Sequence, residues 1–233
     1  FGNAVWRWLS SPTAGTLKDF AAIEGMEGYT SPSAPRDLLI WFHAAEHDDV
    51  LYAALSAQRA LEDVAEQSLP PLGFVYRDSR DLTGFIDGSA NPKEDARLEA
   101  AFLPNDEAGT GGAFVMFQKL VHDRLYFEAS PVPDQEPVIR RTKPDSIVLE
   151  DDAMPPDSHV SRTDVKLDGA ELKIYRSSAP FSRAVEKGLY FIAFSCDPMR
   201  FNVTLQRMFG TWEDNEHDQL IHHSTPTSAS YWF

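Results

Sequence analysis

The chain is predicted to fold as an α+β protein of two halves with antiparallel sheets. Three observations carry this. The segments after residue 112 follow the order β-α-β-β-α-β. Residues 105–112, Asn-Asp-Glu-Ala-Gly-Thr-Gly-Gly, read as a flexible connection and divide the chain into 1–107 and 108–233. At 233 residues the chain is long enough for one large core or two small ones.

Taken in order, residues 38–43 form a continuous apolar run of strand length. A helix is expected over 48–68. Asp48 and Asp49 suit its first turn, and Val50, Leu51, Ala54, Leu55, Leu61 and Val64 make an apolar stripe. Residues 73–76 begin another strand. The second series is cleaner: a strand over 113–121, a short helix over 134–141, strands over 172–178 and 188–195, a helix over 198–208 with Pro198 at its start, and a final strand over 228–233. That order is the ferredoxin-like pattern. Residues 143–168 are a long polar insertion with acids at Glu150, Asp151, Asp152, Asp157 and Asp164. Long irregular segments in compact domains are often functional.

The net charge of −15, from 21 basic and 36 acidic residues, argues against a nucleic-acid partner, which wants a basic face. No apolar run approaches the length of a membrane span, so no membrane partner is expected. The lone Cys196 forms no internal disulfide and reads as a buried strand end. Nothing demands an oxidising compartment, and the cytoplasm is the expected location. Phe1-Gly2-Asn3 is neither an initiator Met nor a signal peptide, so an export signal is not readable from this N-terminus.

The most informative stretch is Gly84-Phe85-Ile86-Asp87-Gly88-Ser89-Ala90-Asn91-Pro92. Two glycines bracket one acid, and Asn-Pro closes the turn. An acid held beside Phe85 and Ile86 is partly desolvated and suits proton transfer. On turn chemistry alone, an Asx-turn with an exposed Asp is the favoured reading. Two further segments bear on the choice: Pro155-Pro156-Asp157-Ser158-His159-Val160-Ser161-Arg162-Thr163 and Leu172-Lys173-Ile174-Tyr175-Arg176-Ser177-Ser178-Ala179-Pro180-Phe181.

Together the three segments resemble the dye-decolorizing peroxidases, haem enzymes on a ferredoxin-like scaffold, and within them the bacterial B-type branch. The resemblance covers most of the chain. It implies two ferredoxin-like halves of the dimeric α+β barrel type, the C-terminal one holding haem. Against the family's pattern the first strand and helix of the N-terminal half are missing, so that half is expected to be incomplete. It implies non-covalent haem b, with His159 as the iron's proximal ligand; no Cys-x-x-Cys-His exists for covalent attachment. Asp218 matches the acid that bonds the ligand's far nitrogen, although an exposed helix acid fits that position too. Asp87 and Arg176 match the catalytic pair on the other haem face, with Ile86 and Gly88 beside the cofactor.

Arg141 matches an arginine at the haem edge, and Arg162 is near enough to help; two solvated arginines are the alternative. Phe181 and Phe191 are candidates for the distal wall or plain core. Ser178 stands where some relatives carry Asn. The implied partners are hydrogen peroxide and dyes or other aromatic donors, oxidised by way of a ferryl intermediate. Surface aromatics, among them Trp6, Trp8, Trp41, Trp212, Trp232 and the tyrosines, are candidate electron-entry points. A homo-oligomer is implied by the family alone.

Two readings from other classes compete. His43-Ala44-Ala45-Glu46-His47 fits the inverted zinc-peptidase signature H-x-x-E-H, which needs both histidines on one helix. A haem carrier without turnover would keep His159 but has no use for Asp87 and Arg176 together.

Overall fold

The computed structural model describes residues 1–9, 17–68, 72–104, 109–150 and 155–233. The expected division at 107/108, and the acids Asp151 and Asp152, fall outside these. In chain order the elements are helix α1 (Asn3–Leu9), strands β1 (Ile23–Glu24) and β2 (Thr30–Ser31), helices α2 (His47–Leu61) and α3 (Glu94–Ala101), and strand β3 (Phe114–His122). Next come helices α4 (Arg124–Ala129), α5 (Val132–Ile139) and α6 (His159–Thr163), then strands β4 (Lys166–Leu167), β5 (Ala170–Glu171), β6 (Tyr175–Arg176), β7 (Ala179–Ser182) and β8 (Lys187–Ser195). Helix α7 (Met199–Met208) and strand β9 (Ser224–Trp232) complete the order.

The main sheet has five antiparallel strands in the order β6-β8-β3-β9, with β7 also paired to β8. Successive strand residues point to opposite faces, and residues directly opposite share a face. Phe114 lies opposite Ser195, Met116 opposite Ala193 and Gln118 opposite Phe191. This face packs on α7 through Phe114, Met116, Ala193, Phe201, Leu205 and Phe209. Each fully buried Phe there contributes roughly 1.5–3 kcal/mol. Helix α7 begins where Asp197 Oδ1 accepts from the Met199 N–H at 2.8 Å, a side-chain cap just before Pro198. The opposite face carries Phe117, Phe181, Tyr190 and Trp232. Residues from before position 107, including Leu17, Phe20 and Leu103, enter the α7-side core.

Several expectations are corrected. Residues 38–43 form no strand. A continuous apolar run carries no period that separates a strand from extended coil packed on a core. Here Leu39 packs on the second core and the Trp41 ring lies 5.6 Å from Phe194, while Leu38 and Ile40 are exposed. Residues 73–76 also join no ladder; one Phe74 N–H donates to Pro180 O at 3.0 Å. Of the strand expected over 172–178 only Tyr175–Arg176 joins the sheet, as β6; after Ser177-Ser178 the separate strand β7 begins at Ala179. Helix α2 ends at Leu61, and none of its residues is buried. Helix α3 is not expected from the sequence: half of its segment is charged and it shows no apolar stripe.

Candidate active site

Asp87 is presented by a tight hairpin. Asp87 N–H donates to Ser79 O and Asp81 N–H to Phe85 O, both at 2.9 Å. Gly84 (φ +90°) and Gly88 (φ +72°) take left-handed backbone, which is why glycine stands at both corners. The half-buried Asp87 carboxylate accepts from the Gly88 N–H at 2.6 Å. Ile86 is half-buried and bridges to Arg80 across the hairpin.

Two anchors fix this loop to the rest of the fold. Arg80 donates to Gly84 O at 2.8 Å, Lys143 O at 2.6 Å and Pro144 O at 2.8 Å. Asp81, largely buried, bonds His122 Nε2 at 3.0 Å, while His122 Nδ1 bonds Ser224 Oγ at 2.9 Å. Burial alone would push the Asp81 carboxyl up. The His122 hydrogen bond and charge, with donation from Thr83, outweigh it and hold Asp81 below the usual carboxylate range.

A third tie reaches the strand that carries Arg176. Asn91 Oδ1 accepts from Arg176 N–H at 3.0 Å, and Asn91 Nδ2 donates to Arg176 O at 2.7 Å. Arg176 lies opposite Ala193 in the sheet, so it projects from the face that packs on α7.

His159 opens the short helix α6, which packs on α7 and α5. Its Nδ1 is 2.6 Å from Asp218 Oδ2, and Asp218 is fully buried. A carboxylate only accepts, so Nδ1 carries the proton and Nε2 offers its lone pair. Among the described residues nothing bonds that Nε2. Asp218 is fixed in turn: its Oδ1 accepts from Leu220 N–H at 2.9 Å, and its own N–H donates to Met208 O at 2.9 Å.

Arg162, expected near the cofactor, is held within the fold. It is 2% exposed, and all its guanidinium nitrogens are committed. Nη1 and Nη2 grip Asp214 at 2.7 and 2.9 Å, and Nε donates to Arg207 O at 2.9 Å. Arg207 returns bonds to Arg162 O and Ser161 O. Arg162 therefore pins α6 to the end of α7, with three of its five N–H donors used on Asp214 and Arg207 and the whole group 2% exposed.

Arg141 is half-buried. It donates to Ser146 O at 2.7 Å. Burial first, then the neighbouring charges of Arg176 and Arg140, pushes its pKa down. A guanidinium stays charged regardless, so Arg141, Arg176 and Arg140 make a cationic group that Asp164 offsets in part. Phe191 sits half-buried against the α7-side core, on the same face as Arg176. Phe181 does not. It pairs with Gly188 and stacks on Tyr190 at 4.4 Å, on the other face, because strand parity puts it there. Ser178 Oγ is buried with no hydrogen-bond partner among the described residues. The residues of H-x-x-E-H do not share a helix face: His43 lies in coil and helix α2 begins only at His47.

Haem needs an axial nitrogen, cationic partners for its carboxylates and a polar pocket on the peroxide side. The exposed lone pair of His159 Nε2, the guanidinium crowd around Arg141 and the orphaned buried hydroxyl of Ser178 fit these needs.

Fold and site together define an α+β protein with a half-buried histidine bonded to a buried carboxylate, and an acid-bearing loop tied by Asn91 to an arginine of the sheet. Residues 78–233 match the family model described as Dyp-type peroxidase, C-terminal. The chain belongs to the dye-decolorizing peroxidase family. It is 35% identical over its whole length to the dye-decolorizing peroxidase of Mycolicibacterium paratuberculosis, covering 67% of that protein. It is 32% identical to that of Mycobacterium tuberculosis, again over its whole length and 70% of the relative. Among solved structures, a variant of DypB from Rhodococcus jostii RHA1 in complex with heme superposes with a TM-score of 0.92 at 33% identity, over 99% of this chain and 76% of that one. The dye-decolorizing protein from V. cholerae gives 0.86 at 35% identity, over 99% and 77%. The DypB matches agree with the B-type branch. The protein is thus a peroxidase acting on hydrogen peroxide and organic donors, and its sheets are the antiparallel ones expected.

Among the residues the sequence did not single out are Asn91, Arg80, His122, Arg207 and Asp214. Asn91 carried a visible signal, the Asn-Pro after the glycine bracket, but a turn explained it fully. The others bond across long sequence separations that no local pattern records.

Proposed function

We propose that this chain binds non-covalent haem b through His159 and uses Asp87 and Arg176 to cleave hydrogen peroxide. The observation that carries the reading is the 2.6 Å bond between His159 Nδ1 and the buried Asp218. Haem, when bound, supplies the iron that takes two oxidising equivalents from peroxide and passes them to donors. His159 offers Nε2 to the metal. Asp218 holds the proton on Nδ1 and makes the imidazole more basic. Asp87 takes the proton from one peroxide oxygen and returns it to the other. Arg176, always charged, steadies the negative charge that develops on the departing oxygen, a donor worth about 3 kcal/mol. Arg141 would pair with the haem carboxylates, and Ser178 Oγ would hold a water. A haem carrier has no use for the Asn91 tie that fixes Arg176 beside the Asp87 loop.

Residues 108–233 form the haem-binding half in this reading. Aromatic donors, a cytoplasmic location and assembly with like chains belong to it as well. The lone Cys196 supports the location, and the exposed Trp41, Leu51, Tyr52 and Leu55 support the assembly. Among the described residues no helix is long and apolar enough to cross a membrane.

Two measurements test the site. His159→Ala should lose the ferric Soret band and haem occupancy; an unchanged spectrum overturns the ligand assignment. Asp87→Ala and Arg176→Leu should keep haem yet slow its stopped-flow reaction with peroxide more than tenfold, above ~1.4 kcal/mol of barrier. Wild-type rates in both would leave the catalytic assignment without support.

A further inference from the structure

Beside the histidine–carboxylate pair lies a surface group that peroxide cleavage does not use. His217 immediately precedes Asp218, and His222 ends the 3-10 turn Gln219–His222 that Asp218 caps. Their Nε2 atoms face each other at 2.8 Å. The Tyr29 ring stacks on both, with centroids 5.0 Å from His222 and 6.1 Å from His217. Glu27 sits on the neighbouring turn Met26–Gly28 with left-handed backbone, φ 55°. One carboxylate oxygen of Glu27 and the two imidazole nitrogens lie within 4.8 Å of one another, the one such trio found among the described residues.

The trio is held from a single buried point. Phe209, 1% exposed, accepts from Met26 N–H at 2.9 Å through its carbonyl and bridges to His217 in antiparallel fashion. The turn bearing Glu27 and the segment bearing His217 therefore hang on the same core residue, and His222 follows within the capped turn.

Two neutral imidazoles aimed nitrogen to nitrogen can share only one proton; charging both sets like charges side by side. A divalent metal ion satisfies both lone pairs. At metal–nitrogen distances of about 2.0–2.1 Å, two ligands lie about 2.9 Å apart at right angles and about 3.3 Å apart in a tetrahedron. The observed 2.8 Å needs little adjustment to meet either. Two imidazoles and a carboxylate suit Zn2+ and its late first-row neighbours, not Mg2+ or Ca2+, which prefer oxygen ligands alone. Three protein ligands leave a position open to water.

We propose that Glu27, His217 and His222 form a second, surface site for a divalent cation of the Zn2+ class, separate from the haem site. A cation there ties residues 217 and 222 together across Asp218 and so clasps the turn that holds His159.

The test is calorimetric titration of the haem-loaded protein with zinc chloride in a non-chelating buffer. Saturable binding of one Zn2+ per chain is expected, with a rise in melting temperature. His217→Ala and His222→Ala should each weaken binding by about tenfold or more, and Glu27→Gln by less. The double variant His43→Ala/His47→Ala, which removes the other exposed histidine pair, should bind as the parent does. All variants should keep the parent's Soret spectrum, since none touches haem. No saturable binding at millimolar zinc overturns the proposal. So does binding that survives loss of both His217 and His222, or that disappears with His43 and His47.

Discussion

Asn91 holds the backbone of Arg176 at both ends of the residue: its side-chain oxygen accepts from Arg176 N–H at 3.0 Å and its amide donates to Arg176 O at 2.7 Å. Asn91 also closes the Asp87 turn, donating its own N–H to Gly88 O at 3.0 Å. One side chain thus sets the spacing between the acid's loop and the arginine's strand. Preorganised catalysis is sensitive to such spacing, since misplacement by about 1 Å can cost 100-fold.

Asn91→Ala should therefore bind haem normally but react with peroxide at least about tenfold more slowly. Its stability should fall by about 1–3 kcal/mol, because the Arg176 amide and carbonyl lose their partner. Asn91→Asp keeps an acceptor for Arg176 N–H but loses the donor to Arg176 O, so it should fall between. Stopped-flow absorbance at the Soret band reads the rate, and urea unfolding reads the stability. A normal rate in Asn91→Ala would show that the tie positions nothing.

Asp218→Asn keeps the shape and replaces a buried carboxylate by an amide. Haem should remain bound, since Nε2 of His159 is untouched. The imidazole becomes a weaker electron donor, and the reaction with peroxide should slow by about 10- to 100-fold. Resonance Raman should find the iron–imidazole stretch at lower frequency. An unshifted stretch would mean that the 2.6 Å bond does not tune the ligand.

The Arg162–Asp214 pair sets an acid limit. The Arg162 hydrogen bond is the main cause holding the Asp214 carboxyl below its ordinary range. A carboxyl lowered on folding stabilises the fold above its unfolded pKa, about 3.9, and loses that contribution as pH falls through the folded value. Asp214→Asn should be less stable than the parent at pH 7, and the gap should close below about pH 4. Because Asp214 is 38% exposed, the pair's pH-dependent part is about 1 kcal/mol or less. Melting curves across pH compare the two. Arg162→Ala should cost more, about 2–4 kcal/mol, and lower haem occupancy as α6 loosens.

Tyr126 is 64% exposed and its ring stacks on His223 at 5.3 Å. His223 meets Phe127 at 4.8 Å, and Phe127 meets Phe85 of the Asp87 loop at 6.3 Å. The run of rings leads from solvent toward the site. Tyr126→Phe should lower turnover of bulky dyes while leaving small donors and the peroxide reaction unchanged. Trp232, 3% exposed, is no entry point, so Trp232→Phe should leave dye turnover alone. Equal dye turnover in parent and Tyr126→Phe would point to donors meeting the haem edge instead.

Much of this was legible locally. The long apolar runs in 114–122 and 187–195 and the amphipathic run of α7 are decided within about ten residues, and the elements stand close to where those runs put them. The run at 38–43 misled because an apolar run does not say whether a partner strand lies beside it, and among the described residues none does. The Ser177-Ser178 break was invisible because both serines are permissible in a strand, and only the pairing on β8 decides where the ladder ends.

By itself the sequence determined the glycine bracket around Asp87, the order of Asp87, His159 and Arg176, and the apolar patterns of the strands that carry the sheet. These depend on backbone preference and side-chain period, which act between near neighbours. Only the tertiary structure decided that Asp218 is buried against His159, that Arg162 is spent on Asp214 and Arg207, and that Phe181 faces away from Arg176. It alone brought Glu27 to His217 and His222. Each of these joins residues far apart in the chain, and which side chains meet is set by strand register and helix packing over a shared core.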